Sequence, residues 1–401
     1  MSVGRDRESN GNWTVIAAYG ILAGVTQMLW LTFAAITTNT AKRYGVSVGA
    51  VGWLSEIFPL LYVVLAIPAG IMLDRHFRGV LAGGGLVVAA GGLVRLGDTF
   101  VWAMAGQVLI AVGQPVVMSA VGKLASAYLP EDRRATGIAL GSAGGFAGMP
   151  LALLLGPLLG GGRLALLLEI QGAIGVLCAV ALVFALRHPP SQVAQELTVR
   201  RGTVSRLWRM PAMRILCGLA FLGFGVFVAL ATWLQTLLHP DGVSETTAGA
   251  LLVGMILTGV IGCALLPALI TRRGAERGFM LTVVAVGAAG CLALGLITGT
   301  GSRLAILLIM GSVLLPALPV ILTAAEALVG LALAGTAGAV VWLAGNLGGL
   351  VVALLVQALV HHPLAAFIAM ACVFCSGAPL ALVLASQLQP SAAFALPAQQ
   401  E

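Results

Sequence analysis

Isolated polar side chains inside long apolar runs are the groups in this 401-residue sequence that could do chemistry. Three carboxylates, Glu56, Glu169 and Glu326, stand in such runs. An apolar setting favours the protonated form of a carboxyl group, so each is a candidate to carry a coupling proton. The alternative is that each bonds to nearby backbone, Gln or Ser and never titrates.

Aromatic and amide side chains at helical spacing form a second set of candidates, suited to holding a small solute. The pairs are Gln27 with Trp30, Phe224 with Phe227, and Trp342 with Asn346. Residues three or four apart share one face of a helix, and an aromatic face attracts a cation. Aromatic residues at these spacings more often face lipid or a neighbouring helix, so we expect about half of such candidates to miss the site.

An apolar composition decides which elements position these groups. The chain is 60% hydrophobic and 9% charged, whereas soluble domains are near half apolar and a quarter charged. Its long apolar runs match the roughly 20 residues that cross a bilayer as a helix. A closed barrel would need segments of about 10 residues with alternating polarity, which these runs lack. We therefore predict an all-α membrane protein.

Twelve apolar runs divide into two groups of six around a basic interruption. The predicted spans are 13–38, 49–72, 80–97, 99–127, 135–159, 163–186, 214–238, 247–270, 278–298, 303–329, 336–359 and 363–386. Residues 13–186 and 214–386 would then be two six-helix halves, joined by the linker 187–213 and flanked by polar ends at 1–12 and 387–401. Part of the linker, 204–213, either lies in the lipid interface, with Leu207, Trp208 and Met210 inward, or merely tethers the halves.

The distribution of basic residues predicts the orientation. Most of the 21 Lys and Arg residues fall on the side of the amino terminus, and basic residues near span ends resist translocation. We therefore expect both termini and the linker in the cytoplasm, in a multi-pass protein of the inner or plasma membrane. The net charge of +7 then reflects topology, and no nucleic-acid partner is implied.

A charged motif follows the second span, and a similar stretch recurs after the eighth. Gly70, Asp74, Arg75 and Arg78 form G-x-x-x-D-R-x-x-R, which resembles the loop signature of the major facilitator superfamily. An aspartate and arginines at a helix end can form charge-assisted bonds to neighbouring helices, so this motif is a candidate conformational latch. The repeat of PAGIMLDRHFRG as PALITRRGAERG is typical of a fold made from two related halves.

A glycine-rich element lies in the fifth span. The sequence GPLLGG, from Gly156 to Gly161, follows glycines at 141, 144, 145 and 148 and resembles the superfamily's G-P-x-x-G-G element, with Ala152 where the full pattern has a glycine. Small residues at this spacing allow helix backbones to approach closely. The resemblance implies close packing first, and antiport second.

A narrower resemblance is to the feline leukaemia virus subgroup C receptor family, whose members are associated with choline, ethanolamine or haem movement. The matching stretches are 28–36, 53–64, 105–117, 129–139, 317–327 and 342–351. The resemblance implies that Trp30 lies in the substrate site, where its indole face could hold a quaternary ammonium. Ser142 stands where the family has a glutamine.

In this superfamily the first, fourth, seventh and tenth helices line a central cavity, which implies contacts on those helices. The full set of candidate substrate contacts is Gln27, Trp30, Gln114, Ser119, Ser142, Phe224, Phe227, Gln235, Thr323, Trp342 and Asn346. We expect a monomeric secondary active or facilitative transporter in the lipid bilayer, moving a choline-like amine or haem by alternating access. The alternative is a proton-coupled multidrug exporter.

We expect no cofactor, metal site or catalytic residue, since motifs for a membrane-embedded enzyme are missing from the sequence. A receptor without transport is the remaining class of protein.

Overall fold

The computed structural model of the chain describes residues 11–160, 163–190 and 203–387. These residues form helices and no strands, which confirms the all-α prediction. The helices are α1 (Trp13–Leu31), α2 (Thr37–Tyr44), α3 (Val48–Arg75), α4 (Phe77–Val94), α5 (Phe100–Ser119), α6 (Val121–Tyr128), α7 (Glu131–Gly160), α8 (Leu164–Ala185), α9 (Thr203–Arg209), α10 (Pro211–Leu238), α11 (Glu245–Arg272), α12 (Glu276–Leu296), α13 (Thr300–Ala358), α14 (Pro363–Cys375) and α15 (Ala378–Gln387). The described residues leave out 1–10, 191–202 and 388–401. These ranges hold most of the predicted ends and part of the predicted linker. Gly161 of the GPLLGG element also lies outside the described residues.

Eleven helical segments among the described residues are long and apolar enough to cross a membrane. One of them, α13, is 59 residues long and contains a non-helical residue, Gly330, with φ 67° and ψ −176°. Glycine adopts a positive φ at little cost because it has no Cβ. The stretches 300–329 and 331–358 on either side of it are each long enough to cross about 30 Å of hydrocarbon.

Three predicted spans, the first, the fourth and the twelfth, are wrong in detail because their helices break; in the twelfth, Ser376 and Gly377 separate α14 from α15. The first was expected to run to residue 38, but α1 ends at Leu31 and a 3-10 turn, Ala34–Ile36, precedes α2. The Thr32 hydroxyl donates to the Met28 carbonyl at 3.0 Å, at the end of α1. The fourth was expected to run unbroken over 99–127, but it bends at Ala120 between α5 and α6.

The described part of the predicted linker contains a short helix, α9. Leu207 is buried in the core, Met210 is partly buried against it, and Trp208 is 53% exposed. Arg206 and Arg209 are exposed. The interfacial placement of this segment and the tethering alternative both stay predictions.

Glycine contacts bring the helices of each half together. In the first half α1 packs along α7, and in the second α10 and α11 pack along α13. A Cβ added to Gly144 would lie 2.7 Å from the Gly20 carbonyl oxygen, and one added to Gly225 would lie 2.9 Å from the carbonyl carbon of Gly348. Small residues let backbones approach this closely. The glycines ahead of GPLLGG are therefore packing positions.

Replacing Gly148 with alanine is expected to destabilise the first half. The added Cβ would overlap the carbonyl oxygen of Gly24 on α1, and overpacking of this kind typically costs about 1–3 kcal/mol. Thermal unfolding of the purified protein in detergent measures the effect. Gly83→Ala is the matched control, because a Cβ at Gly83 meets nothing within 4 Å; equal unfolding temperatures for the two variants would contradict the packing role.

The two halves meet along several pairs of helices. The α3, α5 and α6 helices pack on α13, and α7 packs on α11 and also touches α13. Residues from both halves therefore face each other along the middle of the molecule, and the polar groups there form the candidate site.

Candidate functional site

A cavity lies where the first half meets α13. Its walls come from α1, α5, α6 and α7 in the first half and from Trp342 in the second. The lining residues are Tyr19, Ala23, Gln27, Met118, Val121, Gly141, Ser142, Gly145, Phe146 and Trp342. The space between them has about the size that one water molecule needs, so this conformation is nearly closed around its centre.

Trp342 is the centre of an aromatic cluster that joins both halves. Its ring centroid lies 6.2 Å from that of Tyr62 on α3 and 6.4 Å from that of Phe146 on α7. On its other side, Phe224 of α10 meets it edge-on, at 5.6 Å and an interplanar angle of 79°. Such pairs lie in the favourable range for aromatic contacts. The cluster provides ring faces that can bind either an apolar group or a cation.

The polar atoms of the cavity differ in whether they have a partner. Gln114 donates from Nε2 to Gln27 Oε1 at 2.9 Å, and Tyr19 donates its hydroxyl to the Val117 carbonyl at 2.9 Å. By contrast Ser142 Oγ and Trp342 Nε1 are buried and lack a hydrogen-bond partner among the described residues. A buried donor without a partner costs about 1–3 kcal/mol, so these two atoms are free to bond to a ligand that enters the cavity.

A second cavity lies within the second half, between α10 and α13. It is lined by Leu219, Ala220, Gly223, Phe224, Phe227, Leu314, Leu315, Ala317, Leu318 and Ile321. Its wall is apolar throughout, and Phe224 also forms the edge-to-face contact with Trp342. The two cavities are therefore neighbours, separated by one pair of rings.

Asp74 joins the two halves at one end of the molecule. Its carboxylate accepts hydrogen bonds from the backbone N–H groups of Gly335 at 2.9 Å and Thr336 at 2.8 Å. Lys123 of α6 lies 3.0 Å from the same carboxylate, and both side chains are almost fully buried. A carboxylate is stabilised near the start of a helix, and here that helix is the stretch 331–358. The contact crosses from α3 to α13.

A second ion pair lies between the halves. Glu326, on α13 just before Gly330, is 3.4 Å from Arg134 on α7. Ser126 Oγ on α6 lies 2.5 Å from the same carboxylate oxygen. Glu326 therefore has the internal partners that the sequence left open as the alternative to a proton-carrying role.

The sequence of these helices matches a known protein family. The sequence profile of the Major Facilitator Superfamily matches residues 15–353. The chain belongs to the Major Facilitator Superfamily. It is accordingly a multi-pass membrane transporter and not an enzyme.

Relatives within the superfamily refine the comparison. The chain is 30% identical over 305 residues to solute carrier family 49 member A3 of Danio rerio, covering 71% of this chain and 64% of that protein. It is 24% identical over 282 residues to the choline/ethanolamine transporter FLVCR2 of Rattus norvegicus, covering 63% of this chain and 51% of that protein. The resemblance to the feline leukaemia virus subgroup C receptor family is thereby confirmed. The chain spans about half to two thirds of the length of these relatives.

A solved structure shows the same fold. The superfamily transporter FucP, crystallised in an outward conformation, aligns with a TM-score of 0.72 at 16% identity and covers 94% of this chain and 100% of its own. At this identity the likeness shows the superfamily fold alone.

Some of the predicted substrate contacts lie at or beside the first cavity. Gln27, Ser142 and Trp342 line it, and Gln114 reaches it through its bond to Gln27. Ser119 lies behind the cluster, with its hydroxyl 3.3 Å from that of Tyr62. Phe224 and Phe227 line the second cavity instead.

Trp30, which the family resemblance implies for the substrate site, lies outside both described cavities in this conformation. Its indole N–H donates to the Ser55 carbonyl at 3.0 Å, and its ring lies 6.0 Å from that of Phe58. The side chain thus packs between α1 and α3 and lines neither described cavity. In this conformation the indole at the centre of the molecule is Trp342.

Three further polar candidates on α10 and α13 also lie off both cavities. Gln235 is exposed, Thr323 donates to the Pro319 carbonyl at 2.9 Å, and Asn346 donates to the Trp342 carbonyl at 2.9 Å. Thr323 and Asn346 therefore each bond to a carbonyl group one turn away on their own helix, which is a local side chain to backbone hydrogen bond.

The proton-coupling candidates separate by burial. Glu56 and Glu169 are exposed on α3 and α8, so neither carboxyl group is enclosed by the described part of the protein. Sequence hydropathy places a residue along a span but not on its inner or outer face. Glu326 alone of the three is buried with partners.

The residues of the candidate latch also differ in which half of the protein they contact. Gly70 packs on α13, where an added Cβ would lie 2.9 Å from the Gly335 carbonyl oxygen, and Asp74 binds the same helix. Arg78 instead donates from Nε to the Leu186 carbonyl at 2.7 Å, at the end of α8 in its own half. Arg75 is exposed at the end of α3.

Several residues of this region were missed by sequence reasoning. Tyr19, Tyr62 and Phe146 belong to the cavity or its cluster, and Lys123 pairs with Asp74. Lys123 is an isolated charge within an apolar run of the sequence, and that isolation is the signal that could have identified it. The aromatic residues carried no signal, because rings are common in every membrane helix.

Proposed function

We propose that this transporter moves a small organic solute of the choline and ethanolamine class across the membrane by alternating access. The observation that carries the proposal is the aromatic-walled cavity in which Trp342 of the second half closes over Gln27, Ser142 and Phe146 of the first. A site built from both halves changes its exposure when the halves rock. The similarity to the choline/ethanolamine transporter FLVCR2 supports the solute class.

We further propose a monomer with twelve crossings in two six-helix halves, 13–186 and 214–386, and with both termini cytoplasmic. The break at Gly330 supports this count, because it divides α13 into two lengths that each suffice for one crossing. With this orientation the Asp74 and Glu326 contacts lie at the cytoplasmic end and hold it closed. Breaking them would accompany opening toward the cytoplasm.

The compact cavity favours a small amine over haem as the solute. Its present size is near that of one water molecule, so modest separation of the rings would admit a few heavy atoms. The proton-coupled multidrug exporter gains no support from the relatives, and two of the three glutamates that motivated it are exposed.

Uptake of radiolabelled choline and ethanolamine into proteoliposomes tests the proposal. We expect uptake above empty liposomes and a loss of tenfold or more in Trp342→Ala, because that change removes the ring shared by both halves. Trp102→Ala is the matched control, since Trp102 is an exposed indole on α5 and its loss should leave uptake unchanged. Uptake of neither amine, or equal uptake by Trp342→Ala, would overturn the assignment.

A further inference from the structure

We infer that the two cavities are the two ends of one binding site, and that the substrate is an amphiphile with an acceptor oxygen at one end and an apolar group at the other. The oxygen would bind Trp342 Nε1–H and Ser142 Oγ, and the apolar group would fill the cavity beside Phe224. This inference rests on the proposed transport function and specifies its substrate.

The polar end is defined by hydrogen-bonding capacity. Trp342 is 6% exposed and Ser142 is 9% exposed, and neither Nε1 nor Oγ has a partner among the described residues. An indole N–H can only donate, so what it lacks is an acceptor. Gln27 Oε1 already accepts from Gln114, and the residues that line this cavity include no charged side chain. A hydroxyl, ether or carbonyl oxygen on the ligand supplies the acceptor.

The apolar end is defined by the second cavity. Every residue that lines it is aliphatic, aromatic or glycine. A Cβ added to Gly223 on its wall would meet nothing within 4 Å, so unfilled space lies beside that residue. Burial of hydrocarbon there is favourable, at about 0.8 kcal/mol for each methylene.

One ring contact separates the two ends. The Phe224 ring lines the apolar cavity and meets the Trp342 ring of the polar cavity at 5.6 Å. A ligand that displaces this ring contact would reach both spaces. A ligand inserted between the rings would place its middle, including any ammonium group, against aromatic faces that attract a cation.

Three quaternary ammonium probes separate the two ends. Choline carries the hydroxyl, propyltrimethylammonium replaces that hydroxyl with a methyl group of similar size, and N-hexyl-N,N-dimethylethanolammonium keeps the hydroxyl and adds an apolar chain. Calorimetric titration of the purified full-length protein gives each Kd. We expect choline to bind about tenfold more tightly than propyltrimethylammonium, as loss of a partner for a buried donor implies, and the hexyl probe to bind at least tenfold more tightly than choline.

Three variants assign these preferences to residues. Trp342→Phe keeps a ring but removes the N–H, and Ser142→Ala removes the hydroxyl; together they should abolish the preference for choline over propyltrimethylammonium. Gly223→Leu should fill the apolar cavity and abolish the gain from the hexyl chain, while leaving the hydroxyl preference at about tenfold. Each variant is thus the control for the other end.

The outcomes separate this inference from the transport proposal. An unchanged hydroxyl preference in the Trp342→Phe, Ser142→Ala double variant, or an unchanged hexyl gain in Gly223→Leu, overturns the two-ended site while amine binding survives. Absence of binding for all three probes to the wild-type protein overturns both. Loss of each preference in its own variant supports the inference.

Discussion

Asp74→Ala is expected to abolish transport and to lower the stability of the purified protein by about 3–5 kcal/mol. Asp74 is the carboxylate that pairs with Lys123 and receives the N–H groups of Gly335 and Thr336. Its removal leaves the ammonium group of Lys123 buried without its counter-charge. Breaking one partner of a buried pair is far more costly than replacing both, and the closed end would lose its bond to α13.

The Lys123 partner allows a sharp test of this expectation. Lys123→Met alone should also destabilise the protein, whereas Asp74→Ala combined with Lys123→Met removes both charges and should recover part of the stability. Unfolding temperatures of the four proteins in detergent form a double-mutant cycle, and uptake measured on the same preparations reports function. If the effects of the two single changes simply add, the pair is not coupled and the latch must be assigned elsewhere.

The position of this contact was accessible from sequence, but its geometry was not. The motif placed Asp74 and its arginines at the end of a span, and a carboxylate at such a site suggests a bond to a helix end. The motif could not show that Arg78 turns back to Leu186 within its own half. Which side of a helix faces the other half depends on the rotation of that helix, and nearly uniform hydrophobicity leaves the rotation unmarked.

The same limit explains why sequence could not show which of the two predicted indoles, Trp30 or Trp342, lines the described central cavity. Both lie in apolar runs with a polar residue three or four positions away, so their sequence patterns are equivalent. Trp30 donates to a backbone acceptor on α3, whereas Trp342 has no acceptor among the described residues. This difference arises only when helices distant in sequence come together. Helix existence, by contrast, followed from composition, because the length of each apolar run fixes a crossing.

Helix breaks were the other part that composition could not predict. Gly330 and Ala120 both interrupt helices inside apolar sequence, where hydropathy alone gives no boundary. The prediction ended one span at 329 and began the next at 336, on either side of Gly330, but it ran 99–127 through Ala120, whose backbone remains close to helical. A bend without a glycine has little signature in one sequence.

Arg95→Ala is expected to destabilise the first half severely, by several kcal/mol. The guanidinium of Arg95 is fully buried at the end of α4. It donates to the Leu29 carbonyl at 3.2 Å, to Gln107 Oε1 at 3.3 Å and to Gln171 Oε1 at 3.0 Å. One side chain thus ties α4 to α1, α5 and α8. Its loss would leave three acceptors with fewer partners, and each unsatisfied buried group costs about 1–3 kcal/mol.

The location of Arg95 adds a reason to expect more than local damage. Leu29 lies in the last turn of α1, just before the break at Thr32, and the carbonyls there have lost the helical partners that a continuing helix would supply. Arg95 therefore caps the broken end of α1 from a neighbouring helix. Without it, the position of the break would no longer be fixed relative to α5 and α8.

Arg95→Lys distinguishes the charge from the geometry. Lysine keeps the positive charge but lacks the planar fork that reaches several acceptors at once, so we expect it to recover less than half of the stability lost in Arg95→Ala. Unfolding temperatures in detergent measure both variants, with Arg277→Ala, an exposed arginine on α12, as the control that should stay near wild type. Full recovery of stability in Arg95→Lys would show that the charge alone matters. If Arg95→Ala were as stable as the control, Arg95 would have no role in stabilising the fold.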